Sequence, residues 1–288
     1  MTATSVRARS RRAAPLILGL ALAAPLAGCA GRDDRAAPAA TSTTRPAATS
    51  STRLAGGRGS VLVFSKTSGF RHQSIPDGIA ALREMGAQIG LTVDATEDAA
   101  RFADGELARY QAVVFLSTTG DLLDDGQQAA LQRYLRAGHG WLGIHAASDA
   151  EYDWPWYAGL VGAQVRRHPA VQPATVVVDP AGRSLAGPVP RQWRRTDEWY
   201  DFRANPRGKV RVLATVDEAS YAGGGMGADH PIAWCHDYDG TSKPRGRSWY
   251  TAMGHTVESF HEPLFLAHLA AGLRYVTGQS GAGCPAPG

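Results

Sequence analysis

Short unbroken apolar runs alternate with segments of helical period through the first half of the chain. Residues 61–64 (VLVF), 112–116 (AVVFL) and 141–144 (WLGI) are continuous apolar runs, the signature of strands covered on both faces. Leu91, Thr92 and Val93 read as a further short strand. Ile75, Ile79, Leu82, Met85 and Ile89 recur at helical spacing, and 125–136 reads as a second helix stopped at Gly138. Strand and helix in alternation predict an open, mostly parallel α/β sheet with helices on both faces. Past Ala150 the pattern loosens. Strands are expected at 176–178, 210–216, 232–235 and 249–252, then a final helix over 258–276 in which Ser259 and Glu262 have capping-box spacing.

The two ends of the chain carry no such pattern. Four arginines precede the apolar run 13–26, and Leu26-Ala27-Gly28-Cys29 resembles a bacterial lipobox. Residues 1–28 are therefore expected to be a lipoprotein signal peptide, with Cys29 lipidated. The expected address is the cell envelope, on the outer face of the bacterial cytoplasmic membrane or else periplasmic or extracellular, with the export route left open. Residues 29–58 are rich in Ala, Thr, Ser, Pro and Arg and read as a disordered tether. The folded domain is expected over 59–278, and 279–288 as a flexible tail.

Charge excludes one class of partner. The chain has a formal charge of +4, but Arg7, Arg9, Arg11 and Arg12 lie in the leader, which holds no acid. The rest balances at zero, so the body lacks the basic footprint of a nucleic-acid binder. Gly69 is the only glycine between Phe64 and Gly78. Neither a phosphate-binding loop nor a dinucleotide loop can be built there, and no NAD or ATP is expected. Cys235 reads as a small buried strand residue, and whether it pairs with Cys284 is open.

In open parallel sheets, ligands bind beyond the carboxyl ends of the strands. The loops there contain His72, His145 and His255, each after a predicted strand and near Gly or small residues. Three imidazoles on separate loops at one edge can converge. Lys66 and Arg71 share the first of these loops and are candidates for oxyanion or hydroxyl contacts. Asp197 and Glu198 stand beside Trp199 and Tyr200. A ring that covers the apolar face of a sugar, next to a carboxylate that accepts from its hydroxyls, suits a carbohydrate. Trp154, in the aromatic stretch 152–157, is a candidate of the same kind. His230 and His168, each before a proline, are loop candidates.

Six segments also resemble, in order, the ThuA-like (trehalose utilisation) family. They are 69–72 (GFRH), 143–147 (GIHAA), 152–157 (YDWPWY), 197–200 (DEWY), 229–234 (DHPIAW) and 254–256 (GHT). The resemblance spans about Ser60 to Thr277. It implies a flavodoxin-like fold related to class I glutamine amidotransferases, and a role in sugar metabolism on keto-disaccharides or related glycosides. Amidotransferases of that fold carry a Cys in the sharp turn after a strand. Here His145 holds that place, which excludes a thiolate mechanism.

Imidazole suits proton transfer near neutral pH or metal ligation. The expected catalytic residues are His72, His145 and His255, with Asp197, Glu198, Trp154, Tyr200 and His230 as substrate contacts. The residues alone leave a divalent metal open; if one is bound, the same three histidines ligate it. The favoured reading is an exported sugar-active enzyme taking a small carbohydrate. The alternative is a non-catalytic carbohydrate-binding lipoprotein on the same fold.

Overall fold

The computed structural model describes residues 59–238 and 245–285. The expected signal peptide, lipidated Cys29 and tether of residues 29–58 lie outside the described residues. Nine strands form the main sheet: β1 (Gly59–Phe64), β2 (Leu91–Thr96), β3 (Ala112–Leu116), β4 (Gly140–Ile144), β5 (Gln172–Val178), β6 (Gln192–Asp197), β7 (Arg211–Asp217), β8 (Pro231–Tyr238) and β9 (Gly246–Thr251). Their order across the sheet is β2-β1-β3-β4-β9-β8-β7-β5-β6. From β2 to β9 every pairing is parallel; from β9 to β6 every pairing is antiparallel. Only β8 and β5 therefore run against the common direction, and the sheet is mostly parallel as expected. One consequence decides where the site is built. The carboxyl ends of β1, β3, β4, β9, β7 and β6 all emerge at one edge, and β5 and β8 begin there.

The apolar runs behave as their continuity requires. Every residue of β3 and β4 is buried, as are Val61 to Phe64 of β1, because helices cover both faces. The principal helices are α1 (Ile75–Gln88), α2 (Asp125–Arg136), α3 (Pro155–Val161) and α4 (Pro263–Val276). Ser248 of β9 donates to the Leu160 carbonyl of α3, while its neighbour Trp249 meets Gly272 of α4. Successive strand residues point to opposite faces, so α3 and α4 lie on opposite sides of the sheet. A Cβ on Gly272 would come within 2.7 Å of Leu142 and 2.9 Å of Trp249. Glycine there lets α4 approach closely.

Two expectations need correction. The helix expected over 258–276 is broken: a 3-10 turn covers Val257–His261 and α4 starts only at Pro263. Proline disfavours helical backbone in the residue before it, and Glu262 is extended. Ser259 and Glu262 form no capping box; Thr256 caps the turn and accepts from the Ser259 N–H. The tail read as flexible is tied down through Cys284, which is buried and disulfide-bonded to Cys235, with the Cα atoms 6.0 Å apart. His268 of α4 is fully buried and donates to the Ala186 carbonyl. Among the described residues no helix is long and apolar enough to cross a membrane.

Candidate functional site

His145 follows β4 directly and has φ +53°, a left-handed backbone that a non-glycine residue adopts at a cost of about 1–2 kcal/mol. The turn is held on two sides. Tyr250 donates its hydroxyl to the His145 carbonyl (2.8 Å), and His145 Nδ1 lies 2.7 Å from the Ala252 carbonyl. A carbonyl only accepts, so Nδ1 carries the proton and Nε2 keeps its lone pair.

Four side chains from other loops close on that lone pair. His72, after β1, places Nε2 at 3.1 Å; His255, after β9, places Nδ1 at 3.2 Å. The Tyr200 hydroxyl lies at 2.9 Å, with its ring stacked on the imidazole. Glu198, just past β6, brings Oε2 to 3.5 Å from His145 Nε2 and 3.2 Å from His255 Nδ1. Its other oxygen faces His168 Nδ1 at 2.9 Å. One ligand atom each from His72, His145, His255 and Glu198 lies within 4.8 Å of the other three.

Electrostatics match the geometry. Burial, reinforced by His145 and His255, holds the His72 imidazole down at about 3, so it is neutral near pH 7. Burial alone would raise the Glu198 carboxyl. The imidazoles of His145 and His255 beside it outweigh burial and hold the group well below the usual carboxylate range. The hydrogen bond to Glu198 raises His255 against the opposing effect of its burial. Burial, followed by the Glu198 charge, pushes the Tyr200 hydroxyl well above its ordinary value, so it stays protonated. The neutral His72 imidazole, the His145 Nε2 lone pair, and His255 beside the Glu198 carboxylate suit zinc or another first-row divalent ion. The Ala252 carbonyl orients His145 as an outer partner of a metal ligand does.

The cluster opens into a cavity of about 440 Å³, within the range of small-ligand sites, lined by Phe70, Asp149, Tyr152, Arg166, Arg167 and His168 beside the cluster itself. A larger cavity of about 700 Å³ adjoins it through Tyr152. Its walls carry Asp121, Asp124, Asp125, Glu151 and Asp153 but no imidazole, so the smaller cavity is the chemically competent one.

The three histidines expected from sequence thus meet in one place, joined by Glu198 and Tyr200. The other expected contacts lie elsewhere. Asp197 is fully buried: it accepts from the backbone N–H groups of Glu198, His255 and Gly254 and pairs with Arg195. It holds the loops and has no surface to offer a sugar. His230 is buried behind Tyr200, with its ring nitrogens on the Tyr200 carbonyl and Glu218. It also stands with Asp201 and Glu218 in a second close group, where Arg167 already faces Asp201 at 2.6 Å. Trp154 stacks on Trp156 and Tyr157 and borders the acidic cavity. Lys66 donates to the Leu122 carbonyl, and Arg71 pairs with Glu97. The sequence places Glu198 in the site as a substrate contact, whereas the structure sets it among the histidines themselves. Tyr152 supplies a wall from the aromatic stretch 152–157, while the walls from Phe70, Arg166 and Arg167 carry no signal in the sequence that assigns them to the site.

A family model described as trehalose utilisation, ThuA, matches residues 60–276. Among solved structures, a thua-like protein from Bacteroides uniformis is 22% identical, with a TM-score of 0.64 over 80% of this chain and 95% of that one. A thua-like protein from Parabacteroides merdae is 16% identical, with a TM-score of 0.58 over 76% and 90%. These likenesses carry the class I glutamine amidotransferase-like fold. No curated protein matches the chain.

Proposed function

The chain belongs to the ThuA family, which ties it to carbohydrate utilisation, and on that premise we propose that it is an exported enzyme acting on keto-disaccharides or related glycosides. The observation that carries the reading is the convergence of His72, His145, His255 and Glu198 at the floor of an open cavity. These four residues would hold a divalent cation. Bound there, the cation supplies Lewis acidity toward a carbonyl or hydroxyl oxygen of the sugar. The protein's own groups do the rest. Tyr200 keeps its proton at Oη and donates to an oxygen entering the cluster. His168, half exposed on the cavity wall, shares Glu198 with the histidines and orients its carboxylate. Arg166 and Arg167, both at the cavity wall, offer N–H donors to the hydroxyl rim. His145 in the turn after β4 leaves no thiol for acyl transfer.

Elemental analysis of purified protein, then incubation with 3-keto and unmodified disaccharides, tests this reading. About one divalent metal per chain is expected, with turnover that falls at least a hundredfold in His145→Ala. Binding of sugar without turnover would make it a carbohydrate-binding protein instead. Turnover that survives His145→Ala would remove the cluster from the chemistry.

We also propose that lipidated Cys29 anchors the protein at the envelope. The leader and lipobox support this, and so does the Cys235–Cys284 disulfide, a bond that persists in oxidising compartments. Cys29→Ser should move the protein from the membrane to the soluble fraction or block its processing. Unchanged membrane fractionation would mean that another feature anchors it.

A further inference from the structure

Among the described residues, the large apolar side chains left exposed are Phe70 (65%) and Val171 (40%). Both sit at the edge of the sheet that carries the histidines, Phe70 after β1 and Val171 immediately before β5. Single exposed apolar residues are common and by themselves mean nothing. Phe70 differs in how it is held.

Its loop is fastened to residue 119 at three points. Ser68 N donates to the Thr119 carbonyl (2.7 Å), Gly69 N to Thr119 Oγ1 (3.2 Å), and Thr119 Oγ1 to the Phe70 carbonyl (2.9 Å). The Phe70 ring then meets the His72 ring at 4.8 Å and 85°, edge against face. His72 is itself set against His145 and His255. The phenyl is thus positioned by the cluster it borders, at the wall of the same cavity. The rim beside it is mostly polar: Asp149, Arg166, Arg167 and His168 stand there, with the hydroxyl-bearing Tyr152 and Tyr200 and one aliphatic neighbour, Val165. An apolar platform beside a rim of donors and acceptors complements one class of small molecule. A pyranose ring presents C–H groups on its face and hydroxyls around its rim.

We propose that Phe70 is the stacking platform for a pyranose ring, seating its C–H face beside His72 while the polar rim reads its hydroxyls. The proposal rests on the carbohydrate reading above and deepens it by assigning the residue that binds the ring. Phe70 does not enter the chemistry. Its contribution is to affinity, and so to KM rather than kcat.

Isothermal titration calorimetry with trehalose and with its 3-keto derivative, on wild type, Phe70→Ala and Phe70→Tyr, tests it. Phe70→Ala is expected to weaken binding of the tighter sugar about five- to tenfold. Phe70→Tyr should restore it to within about twofold of wild type, since the ring survives. Melting temperature and metal content should be unchanged in both, because the side chain is mostly outside the fold. Equal affinity in wild type and Phe70→Ala would overturn the platform and leave the carbohydrate reading standing. If wild type binds neither sugar, both fall together.

Discussion

Asp197 shows how a single side chain sets the site without touching a ligand. Three backbone N–H groups and the Arg195 guanidinium converge on its two oxygens, locking Glu198 and His255 into one arrangement. Asp197→Asn turns one acceptor into a donor that faces donors. If the cluster holds the proposed cation, this should lower affinity for it about ten- to a hundredfold, as loss of an outer-shell partner does, which competition with a chelator would measure. The sequence suggested a sugar contact at Asp197 because a carboxylate beside Trp and Tyr fits one; backbone partners 57 residues away leave no trace in a residue pattern. The three histidines were legible for the opposite reason, since strand order alone fixes the edge at which each emerges. His268 carries a second expectation. Burial first, with Arg195 adding to it, lowers its pKa from 6.5 to about 4 against the Ala186 carbonyl bond. The folded state therefore binds the proton less well than the unfolded chain. Its contribution is whole above about pH 6.5 and is lost as pH falls toward 4, on the order of 3 kcal/mol in all. His268→Leu should flatten that limb of a stability–pH curve; an unaltered slope would assign the acid sensitivity to other groups.

Among the strands of the main sheet, β6 is the one with no legible pattern, and its burial explains why. Its inward positions are Trp193, Arg195 and Asp197, so two of three core-facing residues are charged. Alternation was present, but hydropathy could not reveal it because an ion pair stands where aliphatic side chains usually do. β3 and β4, buried on both faces, were readable from their apolar runs alone. Helix α2 shows the same contrast at its start. Asp124 accepts from the Gln127 N–H while the Gln127 side chain accepts from the Asp124 N–H, a complete capping box. Asp124→Ala should cost about 1 kcal/mol, read as a lower midpoint in urea. The final helix misled because its apolar period continues through Glu262, although Pro263 allows no helical turn across that point. Periodicity reports which face is buried; it does not report where the backbone can bend.

For the molecule as a whole, the disulfide joins the end of the chain to the interior of β8 across 49 residues. Closing a loop of that length removes unfolded-state entropy worth up to about 4 kcal/mol in the chain-entropy account. Cys284→Ser should therefore lower stability by a large part of that amount and release residues 279–285 to proteolysis. A variant that melts like wild type would show that the segment is held by its hydrogen bonds alone. The fold class was legible from strand–helix alternation, whereas the pairing was not, since two distant cysteines carry no register. Both ends of the described body lie at the edge of the sheet opposite the histidines. Gly59 opens β1 there, and α4 closes with Val276 against Gly140 at the start of β4. Gln279 then reaches the Ile89 carbonyl, just before β2. A fusion partner, affinity handle or solid support joined at either end would therefore leave the cavity mouth unobstructed, so the protein is suited to immobilised assay formats in which substrate arrives from the far side.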